Sequence, residues 1–273
     1  MKYDLHIHTT FSDGDYTPQE IMELAAKKGL CGIAITDHDE CRGYGDLLYG
    51  SKPEIRIYPG IELAAKFAGE VHVLGLGIDW QDTDLLRHID KTMKSRKLRA
   101  AKMLRKLRDA GINLTFNEIE NECLGNVIGR PHFAAALVKK GYAQTHKEAF
   151  SRFLASHVSF YVPFEKISIE QAAKLVTGAG GKAVLAHPGF IKADVLNVLA
   201  PRLLGMGFWG IEAYHPTHTN VQCIEYELLA KRLGLYVTAG SDFHGSVKPR
   251  ISIGQEQRGG RFLEESMKIL SSD

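Results

Sequence analysis

From Tyr3 to Gly77 the chain alternates short apolar runs with polar loops. "YDLHIH" has the length and the two-residue alternation of a strand, with Tyr3, Leu5 and Ile7 on one face and His6 and His8 on the other. "TPQEIMELAAKKG" then switches to helical spacing: Pro18 suits a first turn, Ile21, Leu24 and Ala25 form a stripe, and Gly29 closes it. Three more apolar runs follow, "CGIAITDHD", "RIYPGIEL" and "VHVLGLGI", each bounded by turn residues. Strands alternating with helices predict a parallel α/β arrangement.

Past Asp79 the period changes. Leu86, Ile89, Met93, Ala100, Leu104 and Leu107 recur at helical spacing, and Arg130-Pro131 opens another helix that runs to Gly141. An all-helical insertion is expected over residues 80–157, between α/β portions at 1–79 and 158–273. The second portion reads "SIEQAAKLVTGAGGKAVLAHPG", "GFWGIEAYHP", a helix over roughly 218–233, and "LYVTAGSDFHG". There is no internal repeat and no low-complexity segment.

Composition removes several functions. A chain of 273 residues, 44% of them apolar, is long enough for one sizeable core. Thirty-four Lys and Arg against 32 Asp and Glu leave a net charge of +2, so nothing general draws the chain to nucleic acid or membrane. Cys31, Cys41, Cys123 and Cys223 stand far apart with no C-x-x-C pair, which argues against a disulfide framework or a thiolate zinc site. No run approaches the ~18 apolar residues that cross a bilayer, and the start lacks an apolar targeting segment. A soluble cytoplasmic protein with no obligate protein partner is expected.

The candidate chemistry lies at strand ends. His6 and His8 line one face of the first strand, and Asp13 follows in the loop. His38 ends "TDHD", Glu62 lies in "PGIEL", His72 in "EVHVLGLG", His187 ends "LAHPG", and Asp242 with His244 ends "SDFH". The C-terminal ends of parallel barrel strands gather at one mouth, so these nine nitrogen and oxygen donors converge. Burying them without a counter-ion would cost several kcal/mol each. Nine ligands exceed the three or four of one zinc site, so two or three divalent ions are expected, with Glu62 bridging. Mixed imidazole and carboxylate sites accept Mn, Fe or Zn.

In "HIHTTFSDG", "TDHD", "PGIE", His72, "AHPG" and "GSDFH", taken in that order, the chain resembles the PHP (polymerase and histidinol phosphatase) family of phosphoesterases. The resemblance implies a distorted, TIM-like (β/α)7 barrel and a trinuclear centre. It would place His6, His8, Glu62 and Asp242 on a first metal, Glu62, His72 and His187 on a second, and Asp13, His38 and His244 on a third. Many histidinol phosphatases carry histidine where this chain has Asp13. The aspartate, with "SDG", looks like the branch of 3′,5′-nucleoside bisphosphate phosphatases and 5′-to-3′ exoribonucleases, which also has a helical insertion.

Around these ligands, "GRPH" sets Arg130 at a helix start, where free N–H groups and a guanidinium suit phosphate, and the branch uses a similar segment for substrate. Arg130, His132 and His215 are the expected substrate contacts, and Arg130, His215, His187 and Asp242 the expected catalytic set. The basic run from Lys91 to Arg108 reads as a solvated outer face, with an RNA-tracking face as the competing reading. His88, His146 and His218 are expected at the surface, and His157 has no assigned role. Asp37 and Asp39 flank His38 either to orient its ring or to shape the turn.

The expected activity is hydrolysis of a phosphate ester by metal-activated hydroxide, removing the 3′-phosphate of a nucleoside bisphosphate to leave AMP, with short RNA as a slower substrate. Histidinol-phosphate phosphatase, an amidohydrolase-type metal hydrolase and a non-catalytic PHP binding module are the alternatives. Arg130 argues against amide chemistry, and the intact ligand set against a purely structural module.

Overall fold

A computed structural model describes residues 2–47, 55–125, 127–255, 265–268 and 270. Strand β1 (Tyr3–Ile7) is buried throughout, and helix α1 (Pro18–Lys27) is capped by Thr17, whose side chain accepts the Glu20 N–H while Glu20 reaches back. Then come β2 (Gly32–Ile35), a single turn α2 (Gly43–Asp46), β3 (Arg56–Lys66) and β4 (Glu70–Leu76). The helical segment holds α3 (Thr83–Asp109), α4 (Phe116–Glu120), α5 (Arg130–Lys139) and α6 (His146–Ala149), which runs into a π-helical turn at Phe150–Leu154. The chain returns through β5 (Ile167–Ser168), α7 (Ile169–Gly178), β6 (Lys182–Leu185), α8 (Ala193–Leu199), β7 (Phe208–Tyr214), α9 (Asn220–Leu233) and β8 (Tyr236–Ala239).

Seven strands follow the order β1-β2-β3-β4-β6-β7-β8, and β5 pairs with β3 off that path. The sheet curls until its ends meet just past β8, where His8 donates its N–H to the Phe243 carbonyl and Asp242 donates to the His6 carbonyl, both at 2.9 Å. The distorted TIM-like α/β fold is therefore observed, with one correction to the parallel reading. β4 runs antiparallel to both β3 and β6. Only Phe67, Ala68 and Gly69 separate β3 from β4, far too few for the crossover of a dozen or more residues that parallel neighbours need.

Two small clusters pack α1 against β1 and β2, and two large cores position the site. The larger joins the sheet to α7, α9 and the first half of α3, through Leu85 and Ile89. The smaller gathers Ala100, Met103, Leu104 and Leu107 from the second half of α3 with Phe133 and Leu137 of α5, and Phe160 and Val162 pack against it. At 1.5 Å per residue α3 is about 40 Å long, enough to leave the barrel and found the second core. No helix among the described residues is long and apolar enough to cross a membrane.

Candidate active site

The strands and the loops beyond them bring all nine expected ligands to one place. Glu62, in the middle of the long strand β3, is 1% exposed and central. Its Oε1 is 2.7 Å from His72 Nδ1 and 2.9 Å from His187 Nε2, and its Oε2 is 2.8 Å from His38 Nδ1 and 3.3 Å from His8 Nε2. Asp242 Oδ1 lies 3.2 Å from His8 Nε2 and 3.6 Å from His6 Nε2, and Asp13 Oδ1 lies 3.4 Å from His244 Nε2. Because β3 overshoots the mouth and β4 returns, Glu62 reaches the site from the middle of its strand and His72 from near the start of its own, while the others come from strand ends or the loops beyond.

These donors fall into four groups whose ligand atoms lie within 4.8 Å of one another: His8, Asp13, His38 and His244; His6, Glu62 and His187; His6, His8 and Asp242; His38, Glu62 and His72. Asp13 Oδ1, His38 Nδ1, Glu62 Oε2 and His215 Nε2 are buried without a hydrogen-bond partner. Each such orphan costs about 1–3 kcal/mol. Donors that crowd to 2.8 Å and still make no hydrogen bond are aimed at shared points between them, which is the geometry a set of cations satisfies.

The backbone is bent to achieve this. His187 (φ 26°), Asp242 (φ 54°) and Asp39 (φ 49°) adopt the left-handed region at strand ends, at a cost of order 1–3 kcal/mol each. Gly240 is required beside them, since a Cβ there would sit 2.2 Å from His6 Cβ and 2.5 Å from Glu212 Oε1.

The charges respond to each other. Burial opposes ionisation of Glu62, but His38, His72 and His6 outweigh it and hold the carboxyl well below its usual range. Burial likewise opposes a charge on His72, yet Glu62 and Glu70 push it up to about 10. His8 falls to about 4 through burial and its neighbours His244 and His38.

Several contributors were missing from the sequence reading. Glu212 of β7, fully buried, accepts the His6 Nδ1–H at 3.0 Å and the His187 backbone N–H at 2.8 Å, so it turns the His6 Nε2 lone pair toward the centre. A lone acid inside the apolar "FWGIEAY" was its only signal. Lys248 places Nζ 2.6 Å from Asp242 Oδ2. Asp37 accepts from Thr9 and Ser12, so it braces the loop that carries Asp13 instead of orienting the His38 ring, and burial pushes its carboxyl up to about 6. Asp39 accepts the Ala64 N–H at 3.0 Å and receives the Arg96 guanidinium, Nε at 2.9 Å, which ties α3 to the barrel.

A cavity of about 320 Å³ opens from this cluster, bounded by His38 and His72 on one side and by Arg96, Arg99 and Arg130 on the other. The solvated-face reading of Lys91 to Arg108 is thus corrected at two positions. Arg96 and Arg99 are 8% and 7% exposed and turn inward, whereas Lys91, Lys94, Lys97, Lys102, Arg105, Lys106 and Arg108 remain outside. Arg99 lies 5.3 Å from the Tyr161 ring centroid and 5.4 Å from that of Phe164, and Arg130 lies 5.8 Å from that of Tyr161. Burial, and then Arg130, pull the Arg99 guanidinium down to about 10.

Other placements differ from expectation. His132 does not line the cavity; it is buried and its Nδ1 accepts the Gly129 N–H at 2.9 Å, bracing the turn that presents Arg130. His215 is 1% exposed and stands behind Asp242, its Nε2 3.4 Å from Oδ2, outside the cavity lining. His218 is buried, not superficial: Nδ1 donates to the Ala213 carbonyl and Nε2 accepts the Gly189 N–H. His88 is half-buried, and His146, though exposed, lies on the cavity rim. His157 is exposed.

The chain is similar to known proteins along most of its length. The PHP domain model matches residues 4–157. The 3′,5′-nucleoside bisphosphate phosphatase of Chromobacterium violaceum is 34% identical over 248 residues, covering 88% of this chain and 86% of that protein. The 5′-3′ exoribonuclease Rnm of Escherichia coli K12 is 30% identical over 260 residues, covering 93% and 88%. A solved structure from Bifidobacterium adolescentis, described as a metal-dependent phosphoesterase, superposes with a TM-score of 0.87 at 28% identity over 99% of this chain and 95% of that one. The chain therefore belongs to the PHP domain family and is a metal-dependent phosphoesterase.

Proposed function

We propose that this chain removes the 3′-phosphate of nucleoside 3′,5′-bisphosphates, leaving nucleoside 5′-monophosphates such as AMP. The observation that carries this reading is that Arg99 and Arg130 line the same cavity as His38, His72 and His244, where the one carboxylate besides Asp13 among the described residues, Glu70, is already engaged by His72 and Lys166. A cavity with charge for two separate phosphates suits a substrate that carries two. Its size, about 320 Å³, lies in the range of small-molecule sites. The bisphosphate phosphatase relative supports the same substrate class.

In this reading His6, His8, Glu62 and Asp242 hold one divalent ion, Glu62, His72 and His187 a second, and Asp13, His38 and His244 a third, with Mn, Fe or Zn as the metals. Such ions supply a water of lowered pKa and positive charge for the phosphoryl oxygens. Arg99 and Arg130 fix the second phosphate, since guanidinium forks match its oxygens. Glu212 and His215 hold His6 and Asp242 in place from behind. The helical segment at 80–157 acts as the lid that excludes water from the cavity.

Histidinol phosphate brings one phosphate and a cationic amine, which Arg99 and Arg130 repel. A 5′-phosphorylated RNA end offers its terminal phosphate to the same arginines and is the slower expected substrate, in keeping with the exoribonuclease relative. The test is kcat/KM for adenosine 3′,5′-bisphosphate, histidinol phosphate and 5′-phosphorylated RNA with added Mn. The bisphosphate should lead by tenfold or more, about 1.4 kcal/mol in transition-state binding; a lead of that size by either competitor moves the assignment to it.

A further inference from the structure

A nucleoside bisphosphate has a third part that the metal ligands and the arginines leave unplaced, its base. Two phenylalanines, Phe150 and Phe164, line the cavity. Phe164 is already covered: Lys166 Nζ lies 4.4 Å from its ring centroid, and the guanidinium carbons of Arg96 and Arg99 lie 4.9 Å and 5.4 Å away. Phe150 is half-buried, and the cation that approaches it from within the cavity is Arg130, 5.9 Å from its centroid. The Phe150 side chain packs against the second core, which fixes the ring while part of it stays open to the cavity.

His146 makes this a pair. The Phe150 N–H donates to the His146 carbonyl, so the two residues are one helical turn apart and their side chains leave the same face of α6. Both line the cavity, His146 at its exposed rim, and the His146 imidazole has no hydrogen bond or ion pair among the described residues. Cβ atoms one turn apart are roughly 5–6 Å from each other, so rings carried there can take one flat ring between them. A phenyl face beside an imidazole suits a heteroaromatic base, which is apolar on its faces and polar along its edge. The position suits it as well. One ribose links a nucleotide's 5′-phosphate to its base, and Arg130, which would hold that phosphate, is the cationic neighbour of Phe150.

We propose that Phe150 and His146 form the base subsite of this enzyme: the base of the bound nucleotide stacks on Phe150, and the His146 imidazole closes over it from the rim. This rests on the bisphosphate reading and deepens it. Stacking tolerates every base because every base has a π-face, so the subsite selects nucleotides over plain sugar phosphates without choosing between adenine and guanine. Pyrimidines, with less ring area to stack, are held less tightly.

Calorimetric titration of the metal-loaded protein with AMP and with ribose 5-phosphate tests this, because the two ligands share phosphate and ribose and differ in the base. The wild type should bind AMP more tightly by about tenfold or more, the value of one base–aromatic stack, and should bind UMP about threefold less tightly than AMP. Phe150→Leu keeps an apolar side chain against the second core but loses the flat face, and should bring AMP to within about threefold of ribose 5-phosphate. His146→Ala, at an exposed position, should narrow the wild-type gap by about threefold. The loss should appear in KM for adenosine 3′,5′-bisphosphate and not in kcat, since the base is bound alike before and during reaction. Equal binding of AMP and ribose 5-phosphate by the wild type overturns the base subsite and leaves the bisphosphate reading standing, as does a Phe150→Leu protein that keeps the wild-type preference. Binding of neither ligand overturns the subsite together with the placement of the 5′-phosphate on Arg99 and Arg130.

Discussion

The ligand ring at the barrel mouth and the arginine wall facing it are built by opposite means. The ring is assembled from six strands and the loops beyond them, far apart in sequence, and its members are satisfied only in common: Glu62 lies within 3.5 Å of five imidazoles, and four of its neighbourhood's buried polar atoms have no partner of their own. The wall is assembled from two helices, and its members are individually settled, Arg96 on Asp39 and Arg99 on the Val162 carbonyl and two aromatic rings. A ring that is incomplete without its ions should fail as a unit when any member is lost. A wall whose members have separate supports should fail by degrees.

The largest effect therefore belongs to Glu62. Glu62→Gln removes the charge shared by five histidines and should lower kcat by about 10³-fold or more on every substrate, with bound metal per chain falling in parallel. Exhaustive chelation should do the same, and added Mn should restore activity more readily than Mg, since imidazole-rich sites suit transition metals. Full turnover by metal-free protein would break the comparison at its root. Glu212→Gln tests how far the unit extends: it keeps the shape but weakens the hold on His6, and should cost about 10–100-fold in metal affinity, read by metal titration.

Arg99→Ala and Arg130→Ala come next. Each should raise KM for a nucleoside bisphosphate by about 10–100-fold, the value of a charge-assisted contact of 1.5–3 kcal/mol, and should leave an aryl phosphate within about threefold. Equal losses on both substrates would show that the wall reads no second phosphate. Arg96 is different again. Arg96→Met strands Asp39 without its buried partner and should lower stability by about 3 kcal/mol in urea unfolding, with kcat/KM on the aryl phosphate nearly intact.

The two regions also differ in how far the sequence announces them. Most ligands of the ring lie in or just after a short apolar run beside a turn, which brings His6, His8, His38, Glu62, His187, Asp242 and His244 into one reading, while Asp13 and His72 join it from the adjoining loop and strand. The antiparallel turn of β4 was within reach as well, since three residues cannot carry a parallel crossover. Arg96 and Arg99 were not found because a run of basic residues reads locally as solvated. Their signal is positional: the buried face of α3 runs Leu85, Ile89, Thr92, Arg96, Arg99, Met103, Leu107, and the arginines fill the stretch where the apolar stripe lapses between Met93 and Ala100. Glu212, Asp37 and Lys248 act through partners more than two hundred, about thirty and six residues away, and only the closed fold brings them together.

The smallest expected effect concerns the outer face of α3. Lys94, Lys102 and Arg105 are exposed and point away from the cavity that Arg96 and Arg99 line. Reversing all three to glutamate should change folding stability by no more than about 0.5 kcal/mol per site and leave kcat/KM for the bisphosphate unchanged at 0.15 M salt, where the Debye length of about 8 Å screens exposed charges from the site. For 5′-phosphorylated RNA the outcome discriminates. If the strand engages only the cavity, the triple reversal costs less than about threefold. If it tracks along α3, three lost phosphate contacts should weaken RNA binding by an order of magnitude or more and flatten its salt dependence, because each contact releases counterions from the strand. The outer face would then be functional, and the division between an inward wall that reads phosphate and an outward face that only meets water would hold for nucleotides and not for RNA.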